Sequence, residues 1–316
     1  MKNITVAIPL YNSVDYLEDA IRIPLFDDRV DEIVICDDRS TDEQYYSLLE
    51  FVSYLLNGYK ISYDPNFRLI SDYRSEDYFD DSIKHSTEVP ENIHGSAASI
   101  YLLTARDVSE QSKKIKIIRN QKNLGGFRNK FKAVKESKNE WVYLLDSDNF
   151  LVDGSISALY NVKEWDNKTC YCPSVPIMER KEGYRAWDDW NHRRFGYEPF
   201  DLRGVQNFFD LETELSSKVG VGLGVNGFLN TGNFFVNRNH YVDSLLKVVE
   251  DPTVEPHAAD VIAFSYYWLT NQGKFQVLPD LYYYHRLRVD SFWSMTGRAA
   301  GAASQMYEEM IKNANA

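Results

Sequence analysis

Cysteine is scarce in this chain: Cys36, Cys170 and Cys172 are the only three in 316 residues, and no two stand in a CxxC spacing. A disulfide framework and a structural zinc site are thereby excluded, and a reducing, cytoplasmic setting is expected. Long apolar runs are missing as well. No window approaches about eighteen uninterrupted apolar residues, so no membrane-spanning helix is expected, and peripheral attachment to a membrane stays open. The opening "MKNITVAIPLYN" has one lysine before a β-branched run that Pro9 interrupts, too short a pattern for a signal peptide. Net positive charge is absent: 35 Lys and Arg against 47 Asp and Glu give −12. A general nucleic-acid binder needs a clustered cationic surface, so that class is excluded. The one basic run, residues 113–138 with ten Lys or Arg, reads mainly as a solvated helix face. No internal repeat is present, which removes a solenoid.

What the chain does contain is an alternation of strands and helices. "ITVAIPLYN" reads as a buried strand, and "SVDYLEDAIRIPL" as a helix with Tyr16, Leu17, Ala20 and Ile21 on one face and Ser13 or Asn12 as its cap. "DEIVICDDRSTDEQYYSLLEFVSYLL" repeats the unit, with Asp37 and Asp38 in the turn and Ser40 or Thr41 as the cap. The rhythm returns in "KIKIIRN", in "QKNLGGFRNKFKAVKESK" and in the strand "EWVYLL". Such alternation predicts a Rossmann-like, mostly parallel central sheet with flanking helices, whose ligands lie beyond the carboxyl ends of the strands. Residues 59–112 read as an insertion into this first unit, 1–150. Residues 151–296 read as a less regular second half of the same domain, and 297–316 as a C-terminal helix or tail. Within the second half, "TCYCPSVPIM" and "LNTGNFFVNR" read as strands, "DVIAFSYYWLTNQ" as a helix and "KFQVLPDLYYYHR" as a last strand pair. The aromatics between 184 and 209 read as packing.

Chemistry concentrates at predicted strand ends. "LLDSDN" closes one strand with Asp146 and Asp148, which would point to one side if the chain stayed extended. Two carboxylates that close raise each other's pKa unless a cation sits between them and a ligand. Paired hard oxygens suit Mg2+ or Mn2+, which take their other ligands from phosphates. The bland reading is a polar turn capping the helix that comes next. Asp37 and Asp38 end another predicted strand, which a parallel sheet brings to the same edge, and Gly125 and Gly126 allow close backbone approach before a helix whose N-terminus favours anions.

The ordered set "VAIPLYN…YLEDAI", "EIVICDDRSTD" and "NLGGFRNKFKAVKESKNEWVYLLDSDN" resembles the nucleotide-sugar half of family 2 glycosyltransferases of the GT-A fold, over about 100 of the first 150 residues. The resemblance implies a nucleoside-diphosphate sugar, of the UDP class, as donor and a glycan, lipid-linked or protein acceptor. It also implies that Pro9, Tyr11 and Asn12 border the base, that Asp38 accepts a hydrogen bond from it, and that Arg128 and Asn129 line the pocket. Asp146 and Asp148 match the DxD motif, Asp148 as metal ligand and Asp146 on the ribose or the metal; Asn149 replaces the acid usual at the next position. In "EPHAADVIAFSYYWLTNQGKFQVLPDLYYYHR", Asp260 falls on the general base, with Ala259 where the family has a second acid and Glu255 as fallback. His285 matches a further metal ligand, and Arg286 and Arg288 could neutralise the departing diphosphate. That arrangement implies single displacement with inversion.

Two rivals share single motifs. A haloacid-dehalogenase-like phosphatase also ends a strand in DxD, but early in the chain and with Thr or Val next. "GLGVNG" at 222–227 spells a dinucleotide fingerprint, yet "FLNTGN" rather than a helix comes after it. A non-catalytic sugar-nucleotide or glycan binder of the same fold is the other alternative.

Overall fold

A computed structural model describes residues 2–56, 84–86, 99–104, 114–180, 233–250, 263–265, 267–268 and 271–287. Its spine is four parallel strands: β1 (Ile4–Leu10), β2 (Val30–Asp37), β5 (Lys114–Arg119) and β6 (Trp141–Leu144), in the order β5-β2-β1-β6. Each is a short apolar run, and alternate side chains go to opposite faces. Ile4, Val6, Ile8 and Leu10 of β1 pack on one face with Ile33 and Ile35, whereas Ala7, Val34 and Cys36 pack on the other. Helices α1 (Leu17–Phe26), α2 (Asp42–Leu56) and α4 (Ser155–Tyr160) cover the first face; α3 (Gly126–Lys135) and α5 (Arg238–Glu250) cover the second. A parallel sheet buried on both sides requires these near-continuous apolar strands.

The flanks mix antiparallel and parallel pairing. β3 (Lys84–Ser86) and β4 (Ser99–Thr104), both inside the expected insertion, extend the sheet beyond β5. On the other side β9 (Phe234–Asn237) pairs antiparallel with β6 and with β8 (Thr169–Arg180); β10 (Lys274–Leu287) is next, and the two-residue β7 (Phe150–Leu151) closes the edge. Strands from both halves of the chain therefore lie in one sheet of ten.

Three local expectations are corrected. The expected last strand pair is the single strand β10, with a register shift between Leu278 and Tyr282 around Pro279, because proline interrupts the ladder without reversing the chain. Neither Ser13 nor Asn12 caps α1, which starts from Tyr16 after a 3-10 turn at Val14–Tyr16. The Ser13 hydroxyl bonds that of Ser147 at 2.6 Å, and Asn12 Oδ1 accepts from the amide of Thr41 at 2.9 Å, ahead of α2. Thr41 caps α2 as expected, its Oγ1 accepting from Gln44 N.

The third correction concerns the basic run. Most of its described side chains are internal tethers rather than a solvated face. Lys116 bonds the carbonyl and carboxylate of Glu136, and Arg119 reaches Asp42 at 2.6 Å and lies over the Tyr45 ring. Lys132 is 9% exposed and donates to Asn120 Oδ1 at 2.7 Å, and Lys138 pairs with Asp31 at 2.8 Å. Long aliphatic stems let these residues cross apolar surface and deliver charge to polar positions at the strand ends.

The aromatic segment 184–209, "GLGVNG" at 222–227, the C-terminal 297–316 and the positions of Glu255, Asp260 and Arg288 lie outside the described residues. No described helix is long and apolar enough to cross a membrane.

Candidate active site

The carboxyl ends of β1, β2 and β6 bring the sequence motifs to one sheet edge. Pro9 is in β1, in register with Cys36. Beyond it, Tyr11 is 52% exposed, although large aromatics are usually covered. Asn12 has φ 47°, a left-handed conformation that asparagine tolerates better than most residues. That twist lets its amide reach Ser40 Oγ at 2.9 Å while its side chain holds Thr41, locking the β1 loop to the turn after β2.

Asp37 and Asp38 occupy that turn and are both buried. Asp37 Oδ1 accepts from Ser40 N, and its Oδ2 lies 3.5 Å from Arg119 Nε, an ion pair without hydrogen-bond geometry. Asp38 is more fully engaged. Oδ1 accepts from Leu124 N at 2.7 Å and Asn120 Nδ2 at 2.9 Å, and Oδ2 from Gly125 N at 2.9 Å. Gly125 has φ 81° and ψ 157°, a region essentially reserved for glycine. The anion that the glycine turn attracts is thus Asp38 itself. Burial raises the pKa of both carboxyls, most strongly opposed by the Ser40 bonds at Asp37 and by the Leu124 amide at Asp38.

Beneath this turn runs a buried amide relay. Asn120 Nδ2 also donates to Asn129 Oδ1, Asn129 Nδ2 donates to the Cys36 carbonyl, and Lys132 supplies the neutralising charge. Asn129 is 2% exposed, so it reaches a ligand only through what it positions. Arg128 gives its Nε to the Val249 carbonyl of α5 at 3.2 Å, tying two helices together.

Asp146 to Asn149 form a β-turn closed by Asn149 N on the Asp146 carbonyl, so the extended geometry expected for the two aspartates is replaced by a tight bend. Side chains from separate elements pin it. Asn233 Oδ1 accepts from Asp146 N at 2.9 Å, and Ser13 meets Ser147. Lys130 Nζ lies 3.0 Å from Asp146 Oδ1. Arg286 donates to the Asp148 carbonyl at 3.3 Å and to Asp19 at 2.8 Å, with its guanidinium over Tyr16 and Phe150. Asn149 is 1% exposed and its Oδ1 accepts from Arg286 N at 3.1 Å, which gives the residue in the usual acid's place a structural role. In β10 the backbone of His285 is in register with Met178 of β8; its side chain lies outside the described residues.

Among the described residues no group of three His, Cys, Asp or Glu side chains could hold a metal. What the turn offers is two carboxylates one residue apart. That donor set fits Mg2+ or Mn2+, which keep waters and borrow phosphate oxygens, better than zinc, which needs three or four protein ligands.

The roles of Lys130, Lys132, Asn120, Ser13 and Asn233 at this edge escaped the sequence reading, in which Ser13 is a candidate helix cap and the two lysines lie on a solvated face. A polar Asn120 directly after a parallel strand was a usable signal, since that is where ligand edges form. Asn233 carried none, because it meets Asp146 across 87 positions of chain.

Residues 102–214 match the sequence model of glycosyl transferase family 2. No curated protein matches the chain by sequence. Among solved structures, GalNAc-T7, crystallised with UDP, GalNAc and Mn2+, aligns over 92% of this chain and 45% of its own, with TM-score 0.51 at 14% identity. TarS 1-349 of S. aureus in complex with UDP-GlcNAc aligns over 92% of this chain and 60% of its own, with TM-score 0.51 at 14% identity. A further crystal structure of TarS 1-349 aligns over 99% of this chain and 70% of its own, with TM-score 0.50 at 15% identity. The chain thus spans about half the length of the first of these proteins, and what they share with it is the fold. Residues 102–214 therefore resemble glycosyl transferase family 2 in sequence, and the chain as a whole has the GT-A fold.

Proposed function

We propose that the chain transfers a sugar from a UDP-sugar to the hydroxyl of a glycan, lipid-linked or protein acceptor, inverting the anomeric centre in a single displacement. The observation that carries this reading is the convergence of the Tyr11–Asn12 loop, the Asp38–Gly125 turn and the Asp146–Asp148 turn at one sheet edge, each bonded to a neighbour in that edge. Ligands of parallel α/β sheets bind there. UDP-GlcNAc occupies TarS 1-349, and UDP with GalNAc and Mn2+ occupies GalNAc-T7, which supports the donor class.

The exposed Tyr11 ring offers a face to the base, with Pro9 and Asn12 shaping the loop around it. Asp38 acts on the base edge chiefly by fixing the Leu124–Gly125 amides, and Asn129 and Arg128 hold α3 in place beneath it. Asp146 and Asp148, with His285, would hold Mn2+ or Mg2+, which when bound offsets negative charge on the leaving diphosphate. Arg286 is committed to Asp19 and to the Asp148 carbonyl, so it steadies the turn, and direct contact with the diphosphate falls to Arg288. Asp260 takes the proton of the acceptor hydroxyl as its oxygen attacks the anomeric carbon.

A thermal-shift panel of nucleotides and nucleotide sugars, with and without manganese, tests the donor class. Stabilisation strongest for uridine nucleotides and enhanced by metal is expected; no response to any nucleotide would sink the reading. Asp260→Asn should keep donor binding and lose transfer, and retained turnover would remove the base assignment. Donor binding by the unaltered chain without hydrolysis or transfer would favour a binding protein of the same fold.

A further inference from the structure

The Asp146 carboxylate already carries a cation supplied by the chain. Lys130 Nζ stands 3.0 Å from Asp146 Oδ1, and the two side chains are only 14% and 23% exposed. The ammonium is delivered by a fixed scaffold. Lys130 lies one turn into α3 between the buried Asn129 and Phe131, which set the rotation of the helix. α3 packs across β1, β2 and β6. On the other side, Asn233 anchors the backbone of Asp146 and Ser13 anchors Ser147. Neither charge sits on a stretch that is free to swing away from the other.

We propose that Lys130 is the resident cation of the DxD turn, so that a divalent metal binds this site weakly by itself and strongly only together with a nucleoside diphosphate. The inference rests on the donor reading above. A shielded ion pair resists competition because separating it leaves a poorly solvated charge on each side. A divalent ion seated on Asp146 would also lie within a few ångströms of the ammonium, and that repulsion offsets much of what one carboxylate returns. A diphosphate changes the sum. It brings anionic oxygens that Lys130 and the metal can both face, so the two cations no longer compete for Asp146. Metal and nucleotide then strengthen each other's binding by the same factor, as linkage requires. Lys130 is a positioning residue in this scheme: it sets which ligand combination fills the site.

Titration of Mn2+ alone, monitored by the paramagnetic resonance signal of the free ion, separates the alternatives. Lys130→Met should bind Mn2+ alone about tenfold more tightly than the unaltered chain, whereas Lys130→Arg, which keeps the charge, should not. Repeating the titration in saturating UDP should show the metal-nucleotide coupling reduced in Lys130→Met by a similar factor. Equal Mn2+ affinity in the unaltered chain and in Lys130→Met, or no Mn2+ binding to Lys130→Met, overturns the proposal. Circular dichroism verifies folding, and Lys130→Gln substitutes if the methionine variant is unfolded. Failure of UDP to bind the unaltered chain with or without metal would instead sink the donor reading, and the titration of Mn2+ alone would still decide the role of Lys130.

Discussion

Two aspartate doublets, at the ends of β2 and β6 on either side of β1, have been put to opposite uses. Asp37 and Asp38 are buried, and the Asp38 carboxylate is consumed by two backbone amides and an asparagine. Asp146 and Asp148 stay partly exposed on a turn that other elements hold from outside, through Ser13, Asn233, Lys130 and Arg286. One doublet builds the edge and the other presents charge at it. The surroundings of each pair account for the difference. Beside Asp38 the neighbouring strand β5 leads into a glycine turn whose amides point back at the carboxylate. Next to Asp148 the buried Asn149 takes up the backbone amide of Arg286, which leaves the two acids outside the packing.

The sharpest way to break this comparison is to remove one carboxylate from each doublet. Asp148→Ala keeps the carbonyl that Arg286 uses, so stability should change by no more than about 0.5 kcal/mol. Donor-dependent turnover should fall by on the order of a thousandfold, about 4 kcal/mol of barrier, because the lost charge acts on the leaving group. Asp38→Ala should do the reverse in stability. It orphans the amide of Leu124 and one hydrogen of Asn120, leaves the Gly125 amide with Asn123 Oδ1 alone, and should cost about 3 kcal/mol in urea unfolding. A stable Asp38→Ala chain that had lost only activity would show that Asp38 belongs to the ligand and not to the scaffold.

This contrast was only half legible in the sequence. The four parallel strands and helices α1 to α3 were readable because hydrophobic period is local, and β1 and β2 obey it almost residue by residue. The placement of the four aspartates at one edge was a consequence of that topology. Which doublet was structural was not, since it depends on partners from distant positions: Asp38 meets Gly125 across 87 residues and Ser13 meets Ser147 across 134. The basic run was misread for the same reason. A lysine at helical spacing looks solvated until the strand end it reaches is known, and Lys130 and Lys132 reach Asp146 and Asn120. Mixed parallel and antiparallel pairing on the flanks was equally hidden, because β3 and β4 are short and lie within an otherwise irregular stretch of sequence.

A smaller perturbation sharpens the comparison by asking whether the two loops are energetically joined. Ser13 and Ser147 are 3% and 7% exposed and share one hydrogen bond. Each alanine substitution should cost about 1 kcal/mol, and the double variant should cost less than the sum, with a coupling of about 0.5–1 kcal/mol in a urea double-mutant cycle. Strict additivity would mean that the bond does not tie the β1 loop to the DxD turn.

The smallest effect uses a half-buried titratable group remote from both doublets. Burial lowers the pKa of His240 from 6.5, with Lys168 adding to the shift, and the ring sits edge-on to Trp268 at 4.6 Å. The unfolded chain therefore takes up a proton at a higher pH than the folded one. Stability from this group is present above the unfolded value and is lost as pH falls below 6.5 toward the folded value. Asp38 behaves in the opposite sense. Its folded pKa is raised above 3.8, so its contribution is fully present below that value and is lost as pH rises through the folded one. His240→Gln should flatten the decline in urea midpoint between about pH 7 and pH 5.5, by less than about 1 kcal/mol because solvent still reaches part of the ring. An unchanged slope in that variant would assign the decline to other groups and leave burial of the imidazole without an energetic signature.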